Sequence, residues 1–365
     1  MWPKSILLKP VPRLDESQVV SSLYRAILDR NPDAQELKSK IKALRENGLD
    51  AIVLEFLQSI EFQRAAKPST VGNYSNSLWN YTAIFDPVQI VLAHENRERT
   101  ALSGHRVNYL GVAVNVTRFV PELKLENIVE GPPIPGNWHT DLAEMGAVLR
   151  AVDLAADSFA MIELGCGWGC WMSISAIVAR LAGKTAHVTG VEGDEGHLDF
   201  AREAMATNDI APSQYNLFHG VAATRTGRAF FPLQERAGIH WGLEPIFARS
   251  PDELERLRGS GEHSELVTVS IEEVIGDRPR IDLLHIDIQG GETSLIRDSL
   301  DVLNRKVAYI VVGTHSRAID GQIIDFLSRD GGWMLEIERP CIFSIEGGTL
   351  LTRIDGVQGW RNARM

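Results

Sequence analysis

The stretch Phe159-Ala160-Met161-Ile162-Glu163-Leu164-Gly165-Cys166-Gly167-Trp168-Gly169 runs from apolar residues through a carboxylate into three alternating glycines. A short apolar run bounded by glycine reads as a buried strand. Ile174, Ile177, Val178 and Leu181 follow at helical spacing, so the glycines sit where a strand turns into a helix. Glycine there lets the backbone take angles closed to other residues and come close to a ligand. Two ligand classes use such a turn. A dinucleotide site asks for G-x-G-x-x-G, or alanine last. Counted from Gly165 the sixth position is Cys170, and the spacing is G-x-G-x-G. The carboxylate bears on the choice as well. A pyrophosphate docks on the positive end of a helix and gains nothing from an adjacent anion. S-adenosylmethionine carries no phosphate and presents an ammonium and a sulfonium, both cationic, and Glu163 favours both. The expected donor-binding residues of this loop are Glu163, Gly165, Cys166, Gly167, Trp168 and Gly169.

Downstream, apolar strands alternate with helical patterns. Val188–Glu192 is a second strand, a helix around Leu198, Ala201 and Met205 follows, and Leu217–Val221, Ile281–Ile288 and Val307–Val312 are the third to fifth strands. Such alternation means a parallel sheet covered on both faces. Trp333–Ile337 and Thr349–Ile354 flank Gly347-Gly348 and are expected to pair as a terminal antiparallel hairpin. The expected fold class is therefore α/β: a Rossmann-like sheet of seven mostly parallel strands with a C-terminal antiparallel hairpin, preceded by an all-helical module. The second strand ends in Val191-Glu192-Gly193-Asp194, one βαβ step after Glu163. A carboxylate at Glu192 can accept both ribose hydroxyls of a bound nucleoside, with Gly193 and Asp194 beside it. NAD enzymes also place an acid here. After the third strand, Gly220, Val221 and Ala222 can wall an adenine ring.

The fourth strand reads Ile281-Asp282-Leu283-Leu284-His285-Ile286-Asp287-Ile288-Gln289-Gly290-Gly291-Glu292. Together with the glycine loop it resembles the FkbM-type methyltransferases, over roughly residues 158 to 355, with a less typical stretch around Arg225–Glu265. Asp282, Asp287, Gln289, Gly290 and Glu292 match the family's D-x-x-K-x-D-x-E/Q-G-x-E pattern, and His285 stands where Lys is usual. The resemblance implies S-adenosylmethionine as donor and, as acceptors, hydroxyls of sugars and of sugar-bearing or polyketide natural products. It also implies an acid near Gly313 and a histidine at His315; the fifth strand ends in Gly313-Thr314-His315-Ser316, so the histidine is there and the acid is not.

From the residues alone, Asp287 at the carboxyl end of a central strand can orient a hydroxyl, bind a divalent cation or act as base; the plainer alternative is a cap on the turn before Gly290-Gly291. Glu292 either joins it or simply opens the next helix. His315, with an unperturbed pKa of about 6.5, can take a hydroxyl proton at neutral pH. Upstream of the first strand, Asn137-Trp138-His139-Thr140-Asp141 and Glu144 fall where many methyltransferases fold a lid over the donor. Trp138 can face a sulfonium and His139 an acceptor. Alternatively Thr140 or Asp141 caps the helix expected over Asp141–Ala155. The expected catalytic residues are His315, Asp287 and His139. A divalent metal on Asp287, His315 and Glu292 stays an option that their spacing does not establish. An Asn/Asp-Pro-Pro-Tyr motif, the mark of exocyclic-amine methylation of DNA, is absent where the fourth strand ends.

The rest of the 365-residue chain sets limits. Residues 15 to 66 carry three helical faces: Val19, Leu23, Ile27 and Leu28; Leu37, Ile41 and Leu44; Ile52, Val53, Phe56, Leu57 and Ile60. Asn31-Pro32-Asp33 and Gly48 break them. This stretch resembles a small helical module attached to bacterial surface-polysaccharide and surface-layer enzymes, and docking or self-association is its expected role. The division is 1–66 helical module, 67–157 linker and lid, 158–357 methyltransferase domain. Pro68, Gly72, Pro87 and Pro121 punctuate the linker, and a short strand or two is expected near Asn108–Val116. A net charge of -11 argues against nucleic acid as partner, leaving a small molecule or glycan. Only three cysteines, no apolar run near the roughly 20 residues a membrane span needs, and residues 1–10 unlike a signal peptide point to the cytoplasm. Two other readings stay open. An NAD-dependent oxidoreductase is opposed by Cys170 and Glu163; a catalytically silent donor- or glycan-binding scaffold is kept open by the missing acid at Gly313.

Overall fold

Five of the apolar runs become the parallel centre of one sheet. In chain order its strands are β1 (Tyr74–Asn76), β2 (Tyr81–Ala83), β3 (Ser158–Leu164), β4 (Thr185–Glu192), β5 (Tyr215–His219), β6 (Leu283–Ile286), β7 (Tyr309–Thr314), β8 (Met334–Arg339) and β9 (Gly356–Arg361). Their spatial order is β1-β2-β8-β9-β7-β6-β3-β4-β5. Pairing is parallel from β5 through β7 and antiparallel from β7 outward to β1. This computed structural model describes residues 15–28, 30–57, 59, 74–76, 81–118, 120 and 126–365, and the chain divides into two units, Met1–Ser69 and Thr70–Met365. The sequence-derived linker and lid, 67–157, thus falls almost wholly within the second unit. Ile60, Pro68, Gly72, Pro121 and the first ten residues lie outside the described residues.

In the first unit, α1 (Glu16–Leu28) and α2 (Ala34–Leu57) pack through Val20, Tyr24, Ile52 and Phe56, with Tyr24 and Phe56 edge to face at 4.7 Å. Asp33 and Glu36 cap α2 reciprocally, each side chain accepting the other's backbone N–H at 2.8 Å. Gly48, at φ 84°, interrupts α2.

In the second unit, alternating side chains of each central strand feed two cores. Met161, Leu283, Tyr309 and Val311 pack beneath α4 (Leu142–Leu154), α5 (Cys170–Leu181) and α6 (Glu195–Thr207). Ile162, Leu284, Ile310 and Val312 pack on the opposite face under α8 (Ile271–Ile275), α9 (Glu292–Asp298), α10 (Leu300–Lys306) and α11 (Arg317–Asp325). Two further helices are α3 (Pro87–Ala93), whose Val88 and Val91 are buried in the first of these cores, and α7 (Pro251–Ser260). Among the described residues no helix is long and apolar enough to cross a membrane.

The structure corrects the expected hairpin. Met334–Arg339 pairs not with Thr349–Ile354 but with Gly356–Arg361, which inserts between β7 and β8. Thr349–Ile354 pairs instead with Ile342–Glu346 across Gly347-Gly348, as a separate two-stranded ribbon. The final strand escapes the sequence because glycines break its pattern, yet they are what lets it fit: a Cβ on Gly359 would lie 2.7 Å from Ile337 and 2.9 Å from the Tyr309 hydroxyl. Its Trp360 is fully buried, so the domain runs past residue 357. Nine strands rather than seven make the sheet, because β1 and β2 extend it beyond β8. Leu217–Val221 splits at Gly220, and Val221–Ala222 joins a second sheet with Gly227–Pro232 and His263–Val269. That sheet and α7 account for the atypical stretch Arg225–Glu265. Near Asn108–Val116, Arg106–Val107 and Ala113–Val114 pair around a turn held by the Asn108 side chain, which accepts from Leu110 and Val112 N–H at 3.0 Å each.

Candidate active site

A cavity of about 1530 Å³ lies at the carboxyl ends of β3 to β7, where parallel α/β sheets bind ligands. The glycine loop forms one wall. Gly165, Gly167 and Gly169 have φ of 78°, 49° and 75°, and a Cβ on Gly165 would stand 1.9 Å from the backbone oxygen of Asp287. The loop therefore lies directly on the end of β6. Glu163, 3% exposed, accepts the Met172 N–H at 2.9 Å from the first turn of α5. Burial pushes its pKa up to about 8, against the opposing pull of His285 and the backbone donors. Cys166 and Trp168 line the cavity, and Trp168 stacks on Trp138 with ring centres 6.2 Å apart.

Glu192 ends β4 and also faces the cavity. Its Oε2 accepts the Gly167 N–H at 2.8 Å and its Oε1 the Asp194 N–H at 2.9 Å, so it braces the glycine loop as well as the wall. Burial raises its pKa, and those backbone donors oppose the rise. Gly193 passes over the Phe231 ring, where a Cβ would lie 2.6 Å away. Gly220, Val221 and Ala222 line the same end. Asp194 and Gly169 stand behind the wall: Asp194 caps α6, accepting the His197 N–H at 2.8 Å, and Gly169 is the left-handed residue that starts α5.

The other end holds Asp287, Glu292 and His315, one ligating atom of each lying within 4.8 Å of the others. His315 Nδ1 is 2.8 Å from Glu292 Oε1, and Nε2 is 3.1 Å from Asp287 Oδ1. Burial disfavours the imidazolium, but the two carboxylates prevail and raise the pKa of His315 to about 10. Burial likewise disfavours the Asp287 carboxylate, and the neighbouring histidines overcome it, holding its pKa below the ordinary value. Glu292 is fully buried; it opens α9 and also faces His315, so the two readings of it coexist. Gly313 sits beside Asp287, with 3.4 Å between its absent Cβ and Asp287 Cγ.

His285, where the family pattern has Lys, is buried and faces a carboxylate. Its Nε2 is 3.0 Å from Glu144 Oε1 on α4, and Glu144 overcomes the effect of burial to raise its pKa. Glu144 thus shifts position 285 toward the protonated form. His139 lines the cavity with Nδ1 3.5 Å from Cys170 Sγ. Burial, aided by the charge of Arg106, lowers its pKa to about 3, which leaves it a neutral hydrogen-bonding ring. Trp138 is turned toward Glu130, to which its Nε1 donates at 2.8 Å. Asp141 is the cap of α4, accepting from Ala143 and Glu144 N–H, and it also pairs with Arg339 at 2.6 Å. Sequence reasoning missed Trp241, which stacks on His197 at 4.2 Å and lies against Gly167; it sits in the atypical stretch, where no motif marks it.

Residues 12–66 match a family model described as a domain of unknown function (DUF4214). Among solved structures the chain is similar to a methyltransferase FkbM from Methylobacillus flagellatus KT (14% identity, 60% of this chain, 54% of that one, TM-score 0.34). It is similar at the same level to a precorrin-6y C5,15-methyltransferase from Geobacter metallireducens GS-15 (13% identity, 61% of this chain, 87% of that one, TM-score 0.33). A far nearer relative is the "Putative methyltransferase" of Jannaschia sp. (strain CCS1), 39% identical over 267 residues that make up 73% of this chain and 95% of that one. With that identity over nearly the whole of the relative, the chain belongs to the same methyltransferase family.

Proposed function

We propose that the protein transfers a methyl group from S-adenosylmethionine to a hydroxyl of a sugar, surface glycan or glycosylated natural product. The observation that carries this reading is that one cavity joins Glu192 to Asp287 and His315. The residues at the first end suit the donor. Each Glu192 oxygen accepts one backbone N–H and keeps a lone pair for a ribose hydroxyl, while Glu163, whose pKa burial holds at about 8, supplies negative charge once a cationic group beside it favours the ionised form. The donor, when bound, supplies an electrophilic methyl group on a sulfonium.

At the acceptor end the proton accounting singles out Asp287. His315 lies between two carboxylates that keep it protonated, so Asp287 receives the hydroxyl proton while His315 holds Asp287 in place. His139, neutral and weakly basic, contacts the acceptor rather than deprotonating it. The principal contribution of the protein is alignment of the hydroxyl with the methyl carbon. A net charge of -11 supports an uncharged or cationic acceptor over a polyanion. Calorimetry with S-adenosylmethionine tests the donor half: wild type binds saturably, and Glu192→Ala binds at least tenfold more weakly. Methyl-labelled donor with a panel of sugars tests the acceptor half. Saturable donor binding with no label transferred to any hydroxyl would overturn the acceptor assignment, and equal affinity in Glu192→Ala the ribose assignment.

A further inference from the structure

We propose that Asp287 and His315 bind a divalent cation at the acceptor end of the cavity, with Glu292 orienting the imidazole. Three features of the geometry carry this. The first is spacing. Metal bonds of about 2.1 Å at right angles place adjacent ligand atoms about 3 Å apart. His315 Nε2 and Asp287 Oδ1 are 3.1 Å apart. At that distance they still lack the alignment of a hydrogen bond: Asp287 Oδ1 is buried and makes none. A ring nitrogen and a carboxylate oxygen that approach without pointing at each other suit a shared ion between them, which binds by displacing the Nε2 proton of His315.

The second feature is the far side of the ring. Histidine that ligates through one nitrogen almost always gives the other N–H to a carboxylate or carbonyl, which fixes tautomer and orientation. His315 Nδ1 meets Glu292 Oε1 at 2.8 Å, and Oε1 is itself held by the Gly290 N–H at 3.1 Å. The second oxygen of Glu292, Oε2, is buried with no hydrogen-bond partner. A buried carboxylate with an unsatisfied oxygen is costly unless positive charge lies nearby. All three side chains converge within 4.8 Å.

The third feature is room. Gly313 places no side chain beside Asp287, so further coordination positions face the cavity, where water and acceptor oxygens reach them. One imidazole and one carboxylate with open positions, and no thiolate, suit a first-row cation such as Mn²⁺ better than Ca²⁺ or Mg²⁺. That those open positions face the methyl acceptor rests on the methyl-transfer reading; the binding itself does not.

The test uses the full chain, stripped of metal and titrated with Mn²⁺ in the absence of any donor. Electron paramagnetic resonance should count one tight ion in the wild type, with nitrogen coupling from a single imidazole. Asp287→Asn, which keeps the side-chain shape, and His315→Gln should each weaken binding at least a hundredfold, and His315→Gln should abolish the nitrogen coupling. Glu292→Gln should weaken binding about tenfold to a hundredfold, as loss of an orienting carboxylate does elsewhere. Unchanged circular dichroism keeps these losses from being unfolding. The nitrogen coupling of the wild type reads histidine ligation even where a variant fails to fold. Absence of saturable binding by wild type, a bound ion without nitrogen coupling, or unchanged affinity in folded Asp287→Asn and His315→Gln would each overturn the proposal. Donor binding is measured separately, so failure here leaves the methyl-transfer reading standing.

Discussion

Replacing Gly165 by alanine tests whether the glycine loop is shaped by contact with β6. The substitution adds one methyl group and two costs. At φ 78° an alanine is left-handed, which costs about 1–2 kcal/mol. Its Cβ would also stand 1.9 Å from the Asp287 carbonyl oxygen, against the roughly 3.3 Å at which carbon and oxygen ordinarily meet. Relieving that overlap moves the loop or the end of β6 by more than about 1 Å, and overpacking of this kind costs about 1–3 kcal/mol. Gly183→Ala isolates the first cost, because Gly183 has φ 75° and nothing within 4 Å of its absent Cβ. The two variants should therefore differ by about 1–3 kcal/mol, or about 2–5 °C in melting temperature for a unit of this size. Because the displaced oxygen belongs to Asp287 and the displaced loop to the donor wall, Gly165→Ala should also bind S-adenosylmethionine at least tenfold more weakly, with Gly183→Ala unaffected. Thermal melts and calorimetry on the three proteins suffice. If Gly165→Ala melts within a degree of Gly183→Ala and binds the donor as wild type does, the loop is not wedged against β6.

Ending the chain after Asp355 should abolish cooperative unfolding of the second unit, since the lost strand joins β7 to β8; Trp360→Ala, read by denaturant melts, should cost about 3–5 kcal/mol. Glu163 has its pKa raised by burial to about 8, so between the two pKa values the folded protein holds a proton that the unfolded chain has released. The stability it contributes is present below about pH 4.5 and falls as pH rises toward 8. Glu163→Gln should therefore gain on wild type as pH rises from about 5 to about 8, on the order of 1.4 kcal/mol for each step of one in pH; a constant difference across that range refutes the assignment. Glu130→Ala removes the carboxylate on which Arg106, Asn137 and Trp138 converge and should cost about 3 kcal/mol by thermal melting, with Glu130→Gln milder.

What could be read from the sequence follows from what each residue does physically. The central strands are buried on both faces, so apolar residues fill most of their positions, and their ends are marked by acids or glycines. Strand β9 obeys a different rule: Gly356 and Gly359 are there because Thr314, Ile337 and Tyr309 leave no space for a side chain, a constraint set by neighbours distant in the chain. Asp194 shows the converse. A carboxylate two residues after Glu192 looks like a ligand group in sequence, yet in space it satisfies the first turn of α6. Trp241 could not be placed at all, and Glu144 only as part of a lid, since their partners, His197 and His285, come to them only through the fold.

The acceptor end shows why a departure from a family pattern has to be judged in three dimensions. Taken one at a time, His285 for Lys and Gly313 for an acid look like two losses, and the missing acid weighs toward a silent protein. The first is not a plain loss of charge, because Glu144 on α4 stands 3.0 Å from His285 and shifts its titration toward the protonated imidazole. The second removes one carboxylate from a place where Asp287 and Glu292 already flank a single histidine. A third acid beside Asp287 would add repulsion that His315 alone does not offset. The two substitutions therefore leave the charge balance of the site workable, and Asp287 remains ionised and open to the cavity. The decisive comparison is Glu144→Gln. If its hydrogen-bonded charge is what maintains His285, this change should lower methyl transfer while leaving donor affinity within about twofold, and Glu144→Asp should restore part of the rate. Loss of donor affinity in step with rate would place Glu144 in the donor wall instead, and His285 would then lack the compensating charge that keeps the site active.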